Sequence, residues 1–539
     1  MFYDDMISLI KNLNFQSVHP ASQQQQTSPM LRQMLSAGNI GNNAPLSDTF
    51  QKQSPNKNKL NIYYYNDTHG NSDQMAGLVT AAKNFKKATA GSQALILSAG
   101  DNCSGGDAKK NSFIFDLMQD LIGVDASAVG NHEIDATKEG FLEALKERKM
   151  PFIATNVEFE NESLKKLIKK SQIVEKNGVK YGLVGAMPID FKLCTKEKVQ
   201  EGIEVDDFDD TIEHLQEEID KLRQEGVDKI ILLSHTSYET DKQLAKNLDG
   251  VDIIIGGHSH TVVEGTKEGE NLVKSKSGEP VIITQAGENG KYFGNLEVEF
   301  DDKGILTRVN NRLTENKNRE KSPVIEHIKD TALGKSKTIG KLTFVEPLPD
   351  NRRITPCGWT CTMADSMKEE LGVDIALINS ANIRKVPKSG NLTERDIMES
   401  APMKNNLLVT RITQKQLTEA IKNAAKQTFS SQNGEPGLIQ CSGVSYKIDK
   451  QGNLLELNII DKEGKKTPVD INNPSEEITY SAAYDTFMAQ ANGETPELAP
   501  KFEVKQLDYD KDRTMTDYLS KMPDVNNIQI RYENRIEIV

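Results

Sequence analysis

The sequence predicts an α/β layer fold followed by a separate α+β domain, and three observations carry that prediction. From Leu60 onward, apolar runs of strand length alternate with stretches of helical period. Several of those runs end in a short polar motif, and five of the chain's eight histidines fall within such motifs. Near Arg308 the chain turns polar and charged, and a different pattern starts beyond it. Strands alternating with helices indicate substantial parallel pairing. In such sheets ligands gather at the carboxyl ends of strands.

Taken in order, residues 1–58 read as a low-complexity tail. Gln23 to Gln26 and the many Ser and Asn residues offer too little apolar surface to offset chain entropy. Residues 59–309 form the first domain. Its strands are expected at Ile62-Tyr65, Ala94-Leu97, Ala126-Val129, Ile230-Leu233 and Ile253-Ile255. Its helices are expected at Met75-Phe85, Phe113-Leu121, Gly140-Lys149 and Ile212-Arg223. Residues 310–340 read as a linker, with a helix from Pro323 to Leu333. Residues 341–539 form the second domain, with helices near Thr362-Leu371 and Gln414-Thr428. Its strands are expected at Ile375-Ile378, Gly443-Ile448 and Leu454-Ile460.

A chain of 539 residues exceeds what one core holds, since single cores stop growing near ~250–300 residues. The formal charge of -13 argues against a nucleic-acid polymer as partner, because phosphate backbones call for clustered Lys and Arg. No segment approaches the ~18 consecutive apolar residues of a membrane span. Asp4 and Asp5 stand where a secretory signal carries basic residues, so sequence alone suggests a cytoplasmic protein. Five scattered cysteines do not make a disulfide framework; Cys357 and Cys361 are spaced to meet on a helix, as thiols or as a bridge. Oligomeric state stays open.

The chemistry lies in five motifs: Asn66-Asp67-Thr68-His69-Gly70, Gly100-Asp101-Asn102, Gly130-Asn131-His132-Glu133, Ser234-His235-Thr236 and Gly257-His258-Ser259-His260. Asp67 and His69, two apart at a strand end, point to one face. Asp101 offers two oxygens and suits a bridging role. Asn131 supplies an amide oxygen, and His235, His258 and His260 supply imidazoles. These seven ligands, one shared, suit two divalent cations of the zinc, manganese or cobalt kind. Paired cations typically ~3.5–4 Å apart acidify a water and clamp phosphate oxygens. Singly, each motif is weak: Gly-Asp-Asn is commonly a turn. Their conjunction is the signal.

In that order the motifs resemble those of the calcineurin-like metallophosphoesterases. Asn66-Asp67-x-His69-Gly70 and Gly130-Asn131-His132-Glu133-Ile134-Asp135 are similar to the bacterial 5′-nucleotidase family, which includes UDP-sugar hydrolases and 2′,3′-cyclic phosphodiesterases. The resemblance implies a four-layer α/β/β/α metal domain followed by a 5′-nucleotidase C-terminal domain. It implies hydrolysis of a small phosphate ester, most simply a nucleotide, by metal-activated water. It assigns Asp67, His69, Asp101 and His260 to one cation, and Asp101, Asn131, His235 and His258 to the other. His132 resembles the family's transition-state histidine, with Asp135 as its carboxylate partner; capping of the helix near Lys138 is the alternative for Asp135. Members of the family are often periplasmic or extracellular.

The second domain bears the substrate side of the resemblance. Asn379-Ser380-Ala381-Asn382-Ile383-Arg384 is similar to the family's Asn-x-Gly-Gly-Ile-Arg turn, which makes Asn379 and Arg384 substrate-binding candidates. Asn405, in Pro402-Met403-Lys404-Asn405, is the third. Leu438 stands near the first of the two rings that stack the base in the family, and Gln490-Ala491-Asn492-Gly493-Glu494-Thr495-Pro496 holds no second ring. Base stacking is worth roughly 1–3 kcal/mol per base. A cyclic nucleotide, a nucleotide sugar or a non-nucleotide phosphate is therefore an open alternative. A binding protein on the same scaffold is the alternative of another class.

Overall fold

The computed structural model describes residues 56–539, apart from 105–107, 135–137, 146–147, 196, 318–328, 331–332, 404, 432–433, 435, 492 and 494. The expected tail, most of the connector helix, Lys404 and Asp135 lie outside the described residues.

Strand Lys59–Tyr65 shows how the sequence sets the layers. Its side chains alternate faces. Leu60, Ile62 and Tyr64 enter one apolar core and Tyr63 and Tyr65 another, all fully buried. A strand buried on both faces is central in a sheet covered on both sides. That sheet has seven strands, in the order Leu306–Glu315, Tyr292–Phe300, Lys59–Tyr65, Ala94–Ser98, Ala126–Ala128, Phe152–Ile153 and Ile168–Lys169. Pairing is parallel from Lys59–Tyr65 to the far edge and antiparallel at the Leu306–Glu315 edge.

A second, six-stranded sheet faces it. Its parallel centre is Val179–Ala186, Ile230–Ser234, Ile253–Ile255 and Pro280–Thr284, with an antiparallel strand at each edge. Here too alternation divides the strands: Ile231, Leu233, Ile253 and Ile255 meet the first sheet, while Ile230, Leu232 and Ile254 meet helices. Helices Phe208–Gln224 and Tyr238–Asn247 cover this outer face through Leu215, Ile219, Leu222 and Leu244. Helices Ser72–Ala88, Ala108–Asp116 and Lys138–Leu145 cover the other sheet. The order is α/β/β/α.

Two elements differ from expectation. The expected helix Phe113-Leu121 divides into an α-helix to Asp116 and a π-helical turn, Leu117–Ile122, ended by left-handed Gly123. The wider turn keeps Leu117, Met118 and Ile122 buried together. Residues 310–315, read as linker, belong to edge strand Leu306–Glu315. An edge strand exposes one face and carries polar residues there, so its polarity resembles that of a loop.

The C-terminal half is α+β. Its five-stranded sheet runs Ile439–Ser442, Ile375–Asn379, Thr479–Asp485, Leu407–Thr413 and Lys505–Gln506, with three- and four-stranded sheets beside it. Helix Gln414–Ser430 opens with a Thr413–Gln416 capping box. Helix Gly358–Leu371 buries Trp359, whose indole N–H donates to Ser400 Oγ at 2.9 Å. Cys357, Cys361 and Cys441 are buried free thiols.

Candidate metal centre

Parallel registers bring the five motifs to one edge. Tyr65 pairs with Ser98 and Ser98 with Ser127, so the loops after these strands emerge side by side. The ladder continues into the loops: Asp67, His69 and Gly70 N–H groups donate to the carbonyls of Gly100, Asp101 and Asn102 at 3.0, 2.9 and 2.8 Å. In the facing sheet Ser234 pairs with Ala186 and Leu233 with Ile255, which puts His235 and His258 at the same edge. Asp67, His69, Asp101, His258 and His260 all hold positive φ, between 47° and 73°. Close approach explains two motif glycines. A Cβ on Gly130 would lie 2.1 Å from Asp101 Oδ1, and one on Gly257 would lie 2.6 Å from His235 Nδ1.

The side chains converge. His260 Nε2 lies 3.1 Å from His69 Nε2 and 3.3 Å from Asp67 Oδ1, and His69 Nε2 lies 3.8 Å from Asp67 Oδ1. Asp101 Oδ2 lies 3.1 Å from His235 Nε2, 3.8 Å from His132 Nε2 and 4.0 Å from His69 Nδ1. Ligands about 2.0–2.1 Å from a tetrahedral cation sit about 3.4 Å from one another. Asp67, His69 and His260 form one such group, and Asp101, His235 and His258 another. Asp67 Oδ1 in the first group is buried without a hydrogen-bond partner, as is Asn131 Oδ1. Buried polar atoms are ordinarily paired. Unpaired oxygen donors and imidazoles at ligand spacing fit divalent cations.

Carboxylates hold this arrangement from behind. Glu133 accepts from the backbone N–H groups of Gly130, Asp101 and Asn102 at 2.8, 2.9 and 2.7 Å, clipping two motifs together. Burial and the neighbouring Asp101 push its carboxyl up to about 7. Asp241, pushed up to about 7 by burial, accepts from Thr236 Oγ1 at 3.0 Å and from Ser234 Oγ, flanking His235. His235 Nδ1 meets Ala99 O at 2.6 Å, leaving Nε2 toward Asp101. Asp190 Oδ1 lies 3.1 Å from His258 Nε2. Glu288 Oε2 lies 3.2 Å from His260 Nδ1. Burial opposes the charge of Glu288, and Arg352, His260 and Arg384 outweigh it, holding its carboxyl well below the ordinary glutamate range.

The substrate candidates divide. Arg384 is buried, with one guanidinium nitrogen 3.5 Å from His132 Nε2, so the structure brings it to the metal edge. Its Nε and Nη1 have no hydrogen-bond partner. Asn379 instead accepts from Ala381 N at 2.8 Å, capping the short turn Ser380–Asn382. Asn405 is buried, with its backbone N–H on Met403 O. Leu438 is wholly buried in the C-terminal core. Sequence reasoning missed Asp190, Glu288 and Arg352. Asp190 follows strand Val179–Ala186, an apolar run of the kind that marked the other motifs, and Glu288 follows strand Pro280–Thr284 in the same way.

Comparison with known proteins agrees with this architecture. Residues 60–262 match the family described as calcineurin-like phosphoesterase, and residues 334–499 match the 5′-nucleotidase C-terminal domain. The chain therefore carries a calcineurin-like phosphoesterase domain followed by a 5′-nucleotidase C-terminal domain. It is 26% identical over 535 residues to the trifunctional nucleotide phosphoesterase protein YfkN of Bacillus subtilis, covering 89% of this chain and 35% of that one. The chain thus spans about a third of that relative's length. A probable 5′-nucleotidase of Treponema pallidum is 26% identical, with 80% of this chain and 86% of the relative covered. The crystal structure of a 5′-nucleotidase precursor from Thermus thermophilus shares the fold, with a TM-score of 0.74 at 23% identity, covering 89% of this chain and 99% of that one.

Proposed function

We propose that this protein is a two-metal phosphoesterase that hydrolyses small phosphate esters, with nucleotides as its substrate class. The observation that supports it best is the convergence of Asp67 Oδ1, which has no hydrogen-bond partner, with His69 and His260, and of Asp101 with His235 and His258, at ligand spacing. Asp67, His69, Asp101 and His260 would hold one cation, and Asp101, Asn131, His235 and His258 the other. Zinc, manganese and cobalt all suit this donor set. Bound there, such ions supply Lewis acidity toward phosphate oxygens and toward water.

The chain's own residues do the rest. Arg384, whose Nε and Nη1 make no hydrogen bond beside the centre while Nη1 lies 3.6 Å from Glu288, binds the phosphate as a planar charge-assisted donor. His132, between Asp101 and Arg384, holds a proton at Nε2 for the leaving oxygen. Asp135 is assigned to orient that imidazole. Asn379 and Asn405 shape the ligand's far side, Asn379 through the turn it caps.

A second reading within the class concerns the ester's organic half. Leu438 is buried in the core and cannot stack on a base. That favours a non-nucleotide ester, whose recognition needs no paired rings; a cyclic nucleotide or a nucleotide sugar keeps its base and is distinguished from AMP by its phosphate linkage. Phosphate release from AMP, 2′,3′-cyclic AMP and UDP-glucose by chelator-stripped protein, with and without manganese or zinc, separates the readings. Metal-dependent release from AMP is expected. Release from none of the three, with two ions bound, would overturn the nucleotide assignment.

A further inference from the structure

Resting on the reading of His260 as a metal ligand, we propose that Glu288 is a positioning residue that transmits docking of the C-terminal domain to the metal centre. Glu288 lies in the loop after strand Pro280–Thr284, and the next residue fastens that loop to a ligand, with Asn289 N–H on Asp67 O at 2.6 Å. Its Oε2 faces His260 Nδ1 at 3.2 Å. The other nitrogen of that ring faces Asp67 and His69. A carboxylate on the outer nitrogen fixes the proton there and leaves the inner lone pair toward a cation.

The same carboxylate is held from the other domain. Arg352 grips it with both terminal nitrogens, Nη2 on Oε2 at 2.9 Å and Nη1 on Oε1. Arg384 Nη1 lies 3.6 Å from Oε2. Both arginines are nearly buried, with 5% and 7% of their side chains exposed. Their positive charges set where the carboxylate sits, and so how His260 is turned. Arg352 has no contact with the other metal-facing side chains among its hydrogen bonds and ion pairs described here, yet it bears on them through one residue. All three groups border a cleft of about 760 Å³ between the domains, which opens at His260.

The consequence is specific: loss of Arg352, in the C-terminal domain, should weaken ion binding in the N-terminal domain. The test is titration of chelator-stripped, full-length protein with Mn2+, following free ion by electron paramagnetic resonance. Wild type is compared with His260→Ala, Glu288→Ala, Arg352→Ala and the Glu288→Ala/Arg352→Ala pair. Glu288→Ala and Arg352→Ala should each weaken one Mn2+ site about tenfold to a hundredfold, the range for lost outer partners of metal ligands, and His260→Ala should weaken it at least as much. The double variant should lose no more than Glu288→Ala alone, because the two act in series. Glu288→Gln keeps the packing and should move in the same direction, which separates positioning from misfolding. Unchanged binding in Glu288→Gln and Arg352→Ala beside a weakened His260→Ala overturns the proposal, as do losses that simply add. Unchanged binding in His260→Ala overturns the ligand reading and this inference with it.

Discussion

Single side chains decide most of the chemistry. Replacing His132 with Asn should lower turnover about 10²- to 10⁴-fold while bound metal, measured by elemental analysis, stays at the wild-type amount. Loss of metal in step with activity would instead make His132 a ligand. A second residue-level prediction concerns acid. Burial raises the Glu399 carboxyl, but Lys385, Lys110 and Lys329 outweigh it and bring it to about 2. Its Oε2 meets Lys385 Nζ at 2.5 Å, and Ser72 of the first domain donates to Oε1 at 3.1 Å. A depressed folded value means the stabilisation is complete above the unfolded value of ~4.3 and is lost as pH falls through about 2. Glu399→Gln should therefore melt below wild type at pH 7, with the gap closing between about pH 4.5 and 2. Equal melting temperatures at pH 7 would show that the pair adds nothing. The candidate ligands were legible because each ends an apolar run. Glu288 and Arg352 were not, since their meaning comes from partners 64 residues apart on different domains.

At the scale of elements, alternation of side chains did most of the prediction. Lys59–Tyr65 and Ile230–Ser234 declare two buried faces in their sequences, and the structure places both at the centres of sheets. The edge strand Leu306–Glu315 escaped because Asn310, Arg312 and Thr314 share one face with little apolar content. The π-helical turn Leu117–Ile122 has no sequence signature that periodicity detects. Loop entry geometry carries its own prediction. Gly130→Ala would force a Cβ to within 2.1 Å of Asp101 Oδ1 and 2.7 Å of Asp101 N, so the shared carboxylate must move. We expect near-complete loss of stoichiometric metal with little change in far-ultraviolet circular dichroism. Retention of two ions by that variant would show that the loop can give way without disturbing the centre.

Across the whole molecule, charged groups tie the second domain and the connector to the first domain: Lys385 and the connector's Lys329 on Asp73, Arg352 on Glu288, and Lys291 on Asp350. No described helix is long and apolar enough to cross a membrane. The five candidate ligands at positive φ have a further consequence at this scale. Non-glycine residues in that region cost of order 1–3 kcal/mol each, and the cost persists only where surroundings impose it. Ion binding would offset it, so ions held there would act as fasteners as well as reagents. Stripping them should speed amide hydrogen exchange first at residues 66–70, 100–102 and 257–261, while Ile231, Leu233 and Ile254 stay protected; exchange unchanged by chelation would mean the sheets alone hold the loops. The place where this chain first opens to a protease is then set by its metal supply, which makes its lifetime in a metal-poor setting a property of the same few residues that define its chemistry.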